Sequence, residues 1–164
     1  MKVWRICKRA HADFDGEGAR KAGGRWNPRG VAVVYASETL SLAALELLVH
    51  ADPALLPDDL VAIEADVPET VRVRRIQPEK LPRGWRRHPA PEALAGIGGD
   101  WVESLETAVL SVPSALVPRE ANFLLNPAHA DFRKIRVGKP ESFDLDARLA
   151  APRAVRLTPS SRGA

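Results

Sequence analysis

One continuous stretch, residues 23–51, constrains the fold more than any other part of the 164-residue chain. It begins with two glycines and a polar loop, passes into the apolar run VAVVYA at residues 31–36, and continues directly into SLAALELLVHA. A β-branched run that is almost entirely apolar predicts a strand buried on both faces. Ser37 and Thr39 are both plausible N-caps for the helix that follows, which extends through about His50. A loop, a strand and a helix are therefore expected in direct succession.

The predicted helix carries a carboxylate within its apolar side. At 100° per residue, Leu42, Leu45 and Val49 form one stripe that is expected to be buried. Glu46 lies only about 40° from Leu42 and shares this stripe, and His50 lies beside it one turn further on. Because burial of a carboxylate is costly unless it is paired or used, Glu46 becomes a candidate for function.

Three residues of this stretch each have an ordinary and a functional interpretation. Arg25 is either a surface arginine beside a turn or a guanidinium fork that binds a phosphate. Tyr35 is either an ordinary strand tyrosine or an aromatic face for a planar base. Glu46 is either a helix-surface glutamate paired with His50 or the carboxylate that stabilises the positive transition state of N-glycosidic cleavage. Their occurrence in one loop–strand–helix unit favours a nucleotide site, with NAD as the ligand.

The remainder of the chain is rich in predicted strands. They are expected at residues 3–6, 59–68, 70–76, 108–113, 115–118, 121–125 and 132–137. Residues 8–24 are predicted as a loop, residues 78–99 as a loop or short helix, and residues 100–107 as a helix N-capped by Asp100. Because helices do not alternate regularly with strands, we predict a compact α+β domain with an antiparallel or mixed sheet. This domain is expected to span residues 1–149, followed by a basic and frayed tail at residues 150–164.

Composition limits the classes of protein to which this chain can belong. A single cysteine, Cys7, excludes an internal disulfide framework. With no recognisable signal peptide and no apolar run near the roughly 20 residues of a membrane helix, we expect a cytoplasmic protein. The pI is about 9.3, but eight Lys/Arg against three Asp/Glu fall in residues 133–164, so the positive charge is mostly regional.

Several common kinds of active site are not indicated. The histidines are scattered and the single cysteine has no partner at ligand spacing, so no metal site is predicted; they are His11, His50, His88 and His129. The sequence Gly16-Glu17-Gly18 lacks the third glycine of a dinucleotide-binding loop, and no P-loop lysine motif occurs. A serine-hydrolase G-x-S-x-G elbow is also absent from the sequence.

Four segments taken together resemble the RES-domain family: GGRWN, VVYAS, SLAALELLVH and VPSALVPREANFLLNPAH. The resemblance runs over about residues 3–137, in the same order and with close spacing. The family supplies the toxin of bacterial toxin–antitoxin pairs whose antitoxin has an Xre-like helix-turn-helix domain. The resemblance thus implies a compact α+β fold related to ADP-ribosyltransferase toxins, and an NAD-consuming enzyme.

The resemblance also assigns roles to individual residues. It implies that Arg25 holds the pyrophosphate or an adjacent ribose-phosphate and that Tyr35 stacks on or orients the nicotinamide ribose end. Glu46 is expected to hydrogen-bond the ribose hydroxyls and to stabilise the charge that develops as nicotinamide leaves. The family's P-S serine corresponds to Ser114 and its Asn-rich loop to Asn122 and Asn126. Further candidates for nucleotide contacts are Ser37, His50, Ser114 and Asn122.

Partners and the acceptor remain open at this point. Water, phosphate or a protein side chain could each accept the ADP-ribose, which makes the chain a glycohydrolase, a phosphorylase or an ADP-ribosyltransferase with a protein target. The resemblance implies an Xre-like antitoxin that covers the pocket, DNA contacts made only by that antitoxin, and a toxin homodimer within the complex. A different class is a non-catalytic basic module that binds nucleic acid through Arg133, Lys134 and Arg136 on one strand, although no aromatic stacking platform accompanies them.

Overall fold

A computed structural model describes residues 1–50 and 58–150, which form a curled sheet with helices packed on it. In these residues the strands are β1 (Lys2–Lys8), β2 (Val34–Ser37), β3 (Leu60–Asp66), β4 (Val73–Arg75), β5 (Val109–Pro113), β6 (Ala121–Leu125), β7 (Arg136–Val137) and β8 (Glu141–Ser142). The sheet order is β4-β5-β6-β2-β1-β3-β7, and β8 also pairs with β3. Strands β4 and β5 are parallel, whereas the other pairs of this described sheet are antiparallel.

Four α-helices accompany the sheet in the described residues. They are α1 (Glu17–Ala22), α2 (Leu40–His50), α3 (Glu92–Ser104) and α4 (Ala147–Ala150). Of the two predicted caps of α2, Thr39 is the observed one, because its Oγ1 accepts the N–H of Leu42 at 3.0 Å. The hydroxyl of Ser37 instead donates to Asn122. None of the helices within residues 1–50 and 58–150 has both the length and the apolar composition needed to cross a bilayer.

The two faces of the sheet carry separate cores because successive strand residues point to opposite sides. On one face, Tyr35 lies opposite Leu124 and Ser37 lies opposite Asn122, so strand β2 aligns with strand β6. Helix α3 covers this face, with a core formed by Trp26, Val33, Leu94, Trp101, Leu110, Val112 and Leu124. The other face has a core that includes Val3, Val34, Ala36, Ala65, Val109, Phe123 and Leu125. The candidate residues of β2 therefore lie on the α3 face.

The predicted α+β class with a mixed sheet is confirmed, and so are most strands. Strands predicted at residues 3–6, 31–36, 59–68, 70–76, 108–113 and 121–125 correspond to β1, β2, β3, β4, β5 and β6. The predicted helix through His50 is α2. Because the residue before a proline is disfavoured in a helix, Asp52-Pro53 is expected to end this helix. These two residues and the tail after Ala150 lie outside the described residues. The domain boundary at residue 149 stays a prediction.

Several local predictions were wrong. Residues 115–118 form bends and turns rather than a strand, and residues 8–24 contain helix α1. Arg133 and Lys134 belong to the 3-10 helix Ala130–Lys134, so they do not share a strand with Arg136. Asp100 is not an N-cap, because α3 begins at Glu92 and Asp100 lies inside it. The glycines within residues 96–99 lower the helix propensity of this segment, so the sequence did not predict the full length of α3. Close packing on neighbouring segments compensates for this low propensity.

The buried stripe of α2 was also assigned incorrectly. Leu42 and Ala43 are buried, whereas Leu45 is 43% exposed and Val49 is 55% exposed. A helical wheel gives the angles between side chains, but it does not say which side faces the sheet. The observed orientation leaves Glu46 half-buried at the edge of the packed side.

Candidate active site

Glu46 is held by two neutral donors that come from distant strands. Its Oε1 accepts a hydrogen bond from the Ser114 hydroxyl at 3.0 Å and another from Asn122 Nδ2 at 2.5 Å. Among the described residues, no Lys or Arg lies within salt-bridge distance of this carboxylate. Neutral donors fix the carboxylate in place without cancelling its charge. Glu46 is therefore available to interact with positive charge.

The Ser114 hydroxyl is fully buried and its hydrogen bonds determine its orientation. Its oxygen accepts the backbone N–H groups of Leu116 and Val117, each at 3.1 Å. A serine hydroxyl has one proton and two lone pairs, so the proton is left for Glu46. In the structure this proton is donated to Glu46, and the contact of Ser114 with the nucleotide stays a prediction.

Asn122 connects Glu46 to strand β2. Its Oδ1 accepts the hydroxyl of Ser37 at 2.8 Å, while its Nδ2 faces the carboxylate. The two residues are direct partners in the β2–β6 ladder, so the sheet itself fixes their separation. Ser37, Asn122, Glu46 and Ser114 thus form one connected network. The predicted asparagine loop is only partly observed, because Asn122 is in strand β6 and Asn126 makes a separate buried bond to the Val102 carbonyl.

Tyr35 fixes the loop that carries Arg25. Its hydroxyl accepts the backbone N–H of Trp26 at 3.0 Å and donates to Asn27 Oδ1 at 2.7 Å. Burial of this hydroxyl raises the pKa of Tyr35 far above its ordinary value, against the opposing effects of the Trp26 N–H and the Arg25 charge. A side chain added at Gly24 would approach this hydroxyl to 2.7 Å, so glycine is required there. Tyr35 remains protonated and ties the loop to the sheet.

The same loop is fixed from two further sides. Asn27 is buried, and its Nδ2 donates to the carbonyls of Ala19, Pro28 and Val31, which connects the loop to α1. On the side of α3, a Cβ on Gly98 would overlap the carbonyl of Trp26. The sequence analysis predicts neither contact. The glycines within residues 96–99 are the sequence signal for the second one, because a helix that lacks side chains on one side can approach another backbone closely.

The side chain of Arg25 extends from this loop to a basic segment, residues 82–91. Its Nη1 donates to the carbonyl of Trp85 at 2.7 Å and its Nη2 to that of Arg87 at 3.2 Å. At the other side of the segment, Arg86 Nε donates to the carbonyl of Ala115 at 2.9 Å, next to Ser114. Residues 82–91 therefore connect the Arg25 loop to the turn that holds Glu46.

The predicted residues fall into two groups on one face of the sheet. Tyr35, with the Arg25 loop, and Ser37, with the Glu46 network, are alternate residues of β2 and lie roughly 7 Å apart along the strand. His50 is separate, because it is exposed and no hydrogen bond joins it to Glu46 in the described structure. The described residues contain no group of three or more His, Cys, Asp or Glu suited to a metal ion.

Comparison with known proteins identifies the family. The family model for the RES domain matches residues 2–146. The chain belongs to the RES domain family. This confirms the resemblance inferred from the sequence, and the match spans both groups of candidate residues.

Relatives of this RES domain cover almost the whole of it. It is 40% identical over 152 residues to a Prs ADP-ribosylating toxin of Sphingobium sp. (strain YBL2), covering 89% of this chain and 94% of the relative. It is 38% identical to a Toxin Res of Yersinia enterocolitica serotype O:8 / biotype 1B (strain NCTC 13174 / 8081), covering 91% and 99%. The fold resembles a chain in the crystal structure of the M. tuberculosis MbcT–MbcA toxin–antitoxin complex, with a TM-score of 0.70 at 17% identity over 91% of this chain and 86% of that one.

Proposed function

We propose that this RES domain is the toxin of a toxin–antitoxin pair, and that it binds NAD and breaks the bond between nicotinamide and ribose. One observation carries the proposal: the Glu46 carboxylate is half-buried and held by Ser114 and Asn122, with no cation paired to it in the described residues. In the transition state positive charge moves from the pyridinium ring of NAD onto the ribose, and a fixed, uncompensated negative charge beside the ribose stabilises that state more than the ground state.

Glu46 would act through the oxygen that the protein leaves open. Within the described residues Oε1 accepts both hydrogen bonds and Oε2 accepts none. As nicotinamide departs with the bonding electron pair, the ribose becomes an oxocarbenium-like cation. Oε2 would hydrogen-bond the ribose hydroxyls and stabilise that cation, while an acceptor adds to the vacated carbon.

Arg25 and Tyr35 would bind and orient the rest of the nucleotide. A guanidinium has five N–H donors, of which Arg25 uses two for the carbonyls of Trp85 and Arg87. The remaining donors would bind the pyrophosphate or an adjacent ribose-phosphate. The Tyr35 hydroxyl is already bonded to the Arg25 loop. Its contribution would therefore be to hold Arg25, with the partly exposed ring oriented towards the nicotinamide ribose end.

The acceptor decides which reaction follows. NAD degradation, by hydrolysis or phosphorolysis, needs only the site described above. Transfer of ADP-ribose to a protein is the second candidate, and it is favoured by the relative named a Prs ADP-ribosylating toxin at 40% identity. Both reactions share the same departure of nicotinamide, so the proposed role of Glu46 is common to them.

A basic nucleic-acid module is less well supported. Two of the cations that would contact a backbone are paired with carboxylates: Lys134 with Asp131 at 2.7 Å and Arg136 with Asp66 at 2.9 Å. Such pairs reduce the free positive charge that phosphate binding requires.

In the proposed system an Xre-like antitoxin covers the site and makes the DNA contacts, and two toxin copies can be present. The similarity in fold to a chain of a toxin–antitoxin complex supports a partner of this kind.

Mass spectrometry of the purified chain incubated with NAD tests the proposal and separates the acceptors. Nicotinamide and ADP-ribose formed in buffer alone indicate hydrolysis, and loss of NAD that requires added phosphate indicates phosphorolysis. An ADP-ribose adduct on a protein from a cell lysate indicates transfer. If NAD stays intact under all three conditions, the proposed function is wrong.

A further inference from the structure

We infer that Asn122 and Ser37 are positioning residues, which orient Glu46 through the β2–β6 ladder instead of contacting the nucleotide. This inference rests on the proposed function and assigns a part of the site that sequence reasoning had counted as ligand contacts. The evidence is a continuous chain of hydrogen bonds, from the Ser37 hydroxyl to Asn122 Oδ1 and from Asn122 Nδ2 to Glu46 Oε1.

The place of this polar pair in the sheet is unusual for a structural role alone. Further along the same face the ladder presents apolar side chains, including Leu110, Val112 and Leu124. Ser37 is only 4% exposed, and burial of a hydroxyl is unfavourable unless it is hydrogen-bonded. An apolar residue would continue this core at lower cost. The serine is therefore explained by the amide that it holds.

The direction of each hydrogen bond follows from the chemistry of the groups. A carboxylate only accepts hydrogen bonds, so Asn122 must turn its Nδ2 towards Glu46 and its Oδ1 away. The Ser37 hydroxyl stabilises that orientation by donating to Oδ1. Without this donor the amide can rotate, and its oxygen would then repel the carboxylate. Ser37 thus acts on Glu46 through Asn122.

The same network selects which oxygen of Glu46 faces the ligand. Asn122 and Ser114 both donate to Oε1, so rotation of the carboxylate would break two bonds at once. Ser114 adds stiffness because two backbone N–H groups fix its hydroxyl. Oε2 is consequently held in one direction before any substrate binds, and this preorganisation lowers the barrier of the chemical step.

Kinetics of single variants give the first test. Asn122→Ala is expected to lower kcat about 10- to 100-fold with KM changed little, and Ser37→Ala to lower kcat about tenfold, because a misplaced catalytic group slows chemistry more than binding. Thr39→Ala is the matched control: it removes the N-cap of α2 without touching the network, so kcat should stay near the wild-type value. Circular dichroism verifies that each variant is folded. If Asn122→Ala does not fold, Ser37→Ala alone provides the kinetic test.

NAD binding in a Glu46→Ala background, which removes the side chain that Asn122 and Ser37 would orient, separates positioning from ligand contact. Turnover is suppressed there, so calorimetry measures the Kd for NAD directly. A positioning role predicts that adding Asn122→Ala or Ser37→Ala leaves this Kd unchanged within about twofold, since the residues act only through Glu46. A Kd weakened tenfold or more would assign the residue a direct contact and overturn the inference.

The outcomes also distinguish this inference from the proposed function. If the wild-type chain consumes NAD and both single variants retain its kcat, the positioning role is wrong and the proposed function stands. If the wild-type chain does not consume NAD in any condition, the proposed function and the inference fall together.

Discussion

Three glycines of helix α3 have different neighbours, and alanine substitutions at these positions test how closely α3 packs against the loop that carries Arg25. A methyl group added at Gly96 would meet no heavy atom within 4 Å, whereas at Gly98 it would overlap the carbonyl of Trp26. Gly99 is intermediate, with Pro28 Cδ at 3.2 Å. Because the obstacle at Gly98 is backbone rather than a flexible side chain, Gly98→Ala can be accommodated only if the Trp26 segment moves.

The opposing effects can be estimated. Alanine is favoured over glycine within a helix by up to about 1 kcal/mol, so Gly96→Ala should raise the free energy of unfolding by roughly 0.5–1 kcal/mol. Gly98→Ala gains the same propensity but is overpacked, which typically costs about 1–3 kcal/mol and more where backbone must shift. We expect a net loss, and a difference between the two variants of about 2 kcal/mol or more.

Urea unfolding followed by tryptophan fluorescence measures both variants against the wild type. The expected gap corresponds to a Tm difference of roughly 5 °C or more. Because Trp26 adjoins Arg25, Gly98→Ala should also weaken NAD binding, whereas Gly96→Ala should not. If Gly98→Ala is as stable as Gly96→Ala, the close approach of α3 to the loop is wrong.

The remaining predictions concern Tyr35, Arg25 and Thr39. Tyr35 is the one tyrosine in the sequence, and burial raises its pKa, so the native chain should develop no tyrosinate absorbance as pH rises through about 10, where the unfolded chain titrates. Since only the unfolded state then loses this proton, the free energy of unfolding should fall above about pH 10. The fall should be less steep in Tyr35→Phe. Titration of Tyr35 near pH 10 in the native chain would contradict the buried hydroxyl. Arg25→Lys replaces a fork with a point charge and should weaken NAD binding about tenfold by calorimetry, whereas Arg29→Lys on the same loop serves as the control and should not. Thr39→Ala should lower the free energy of unfolding by about 1 kcal/mol, measured in urea, and an unchanged value would argue against the cap.

The strand and the helix within residues 23–51 could be predicted because their signals are local. A β-branched apolar run, a Thr cap and a helical repeat of leucines depend on residues close in sequence, and β2 and α2 appear where these signals occur. The identity of Arg25, Tyr35 and Glu46 as candidates came from their chemistry in that setting. Their grouping on one side of the sheet follows from the alternation of β2 and from α2 packing on β1 and β2.

Other features could not be predicted, because they depend on contacts between distant residues. Asn122 and Glu46 are separated by 76 positions and Ser37 and Asn122 by 85, and no local pattern specifies such pairings. The same limit explains helix α3, whose glycines oppose a helix locally but permit contact with Trp26. It also explains why Leu45 and Val49 are exposed, since the orientation of α2 is set by the sheet.

Release of nicotinamide by wild-type, Glu46→Gln and Glu103→Gln chains is the most direct test of the central claim. Each variant loses one carboxylate, but Glu103 lies exposed on α3 and has no part in the Glu46 network. Chromatography of the products at saturating NAD gives the rate for each chain. Release by the wild type and Glu103→Gln, with a loss of about 100-fold or more in Glu46→Gln, is the result that transition-state stabilisation predicts. Equal rates in all three chains would contradict the role of Glu46 in cleaving NAD.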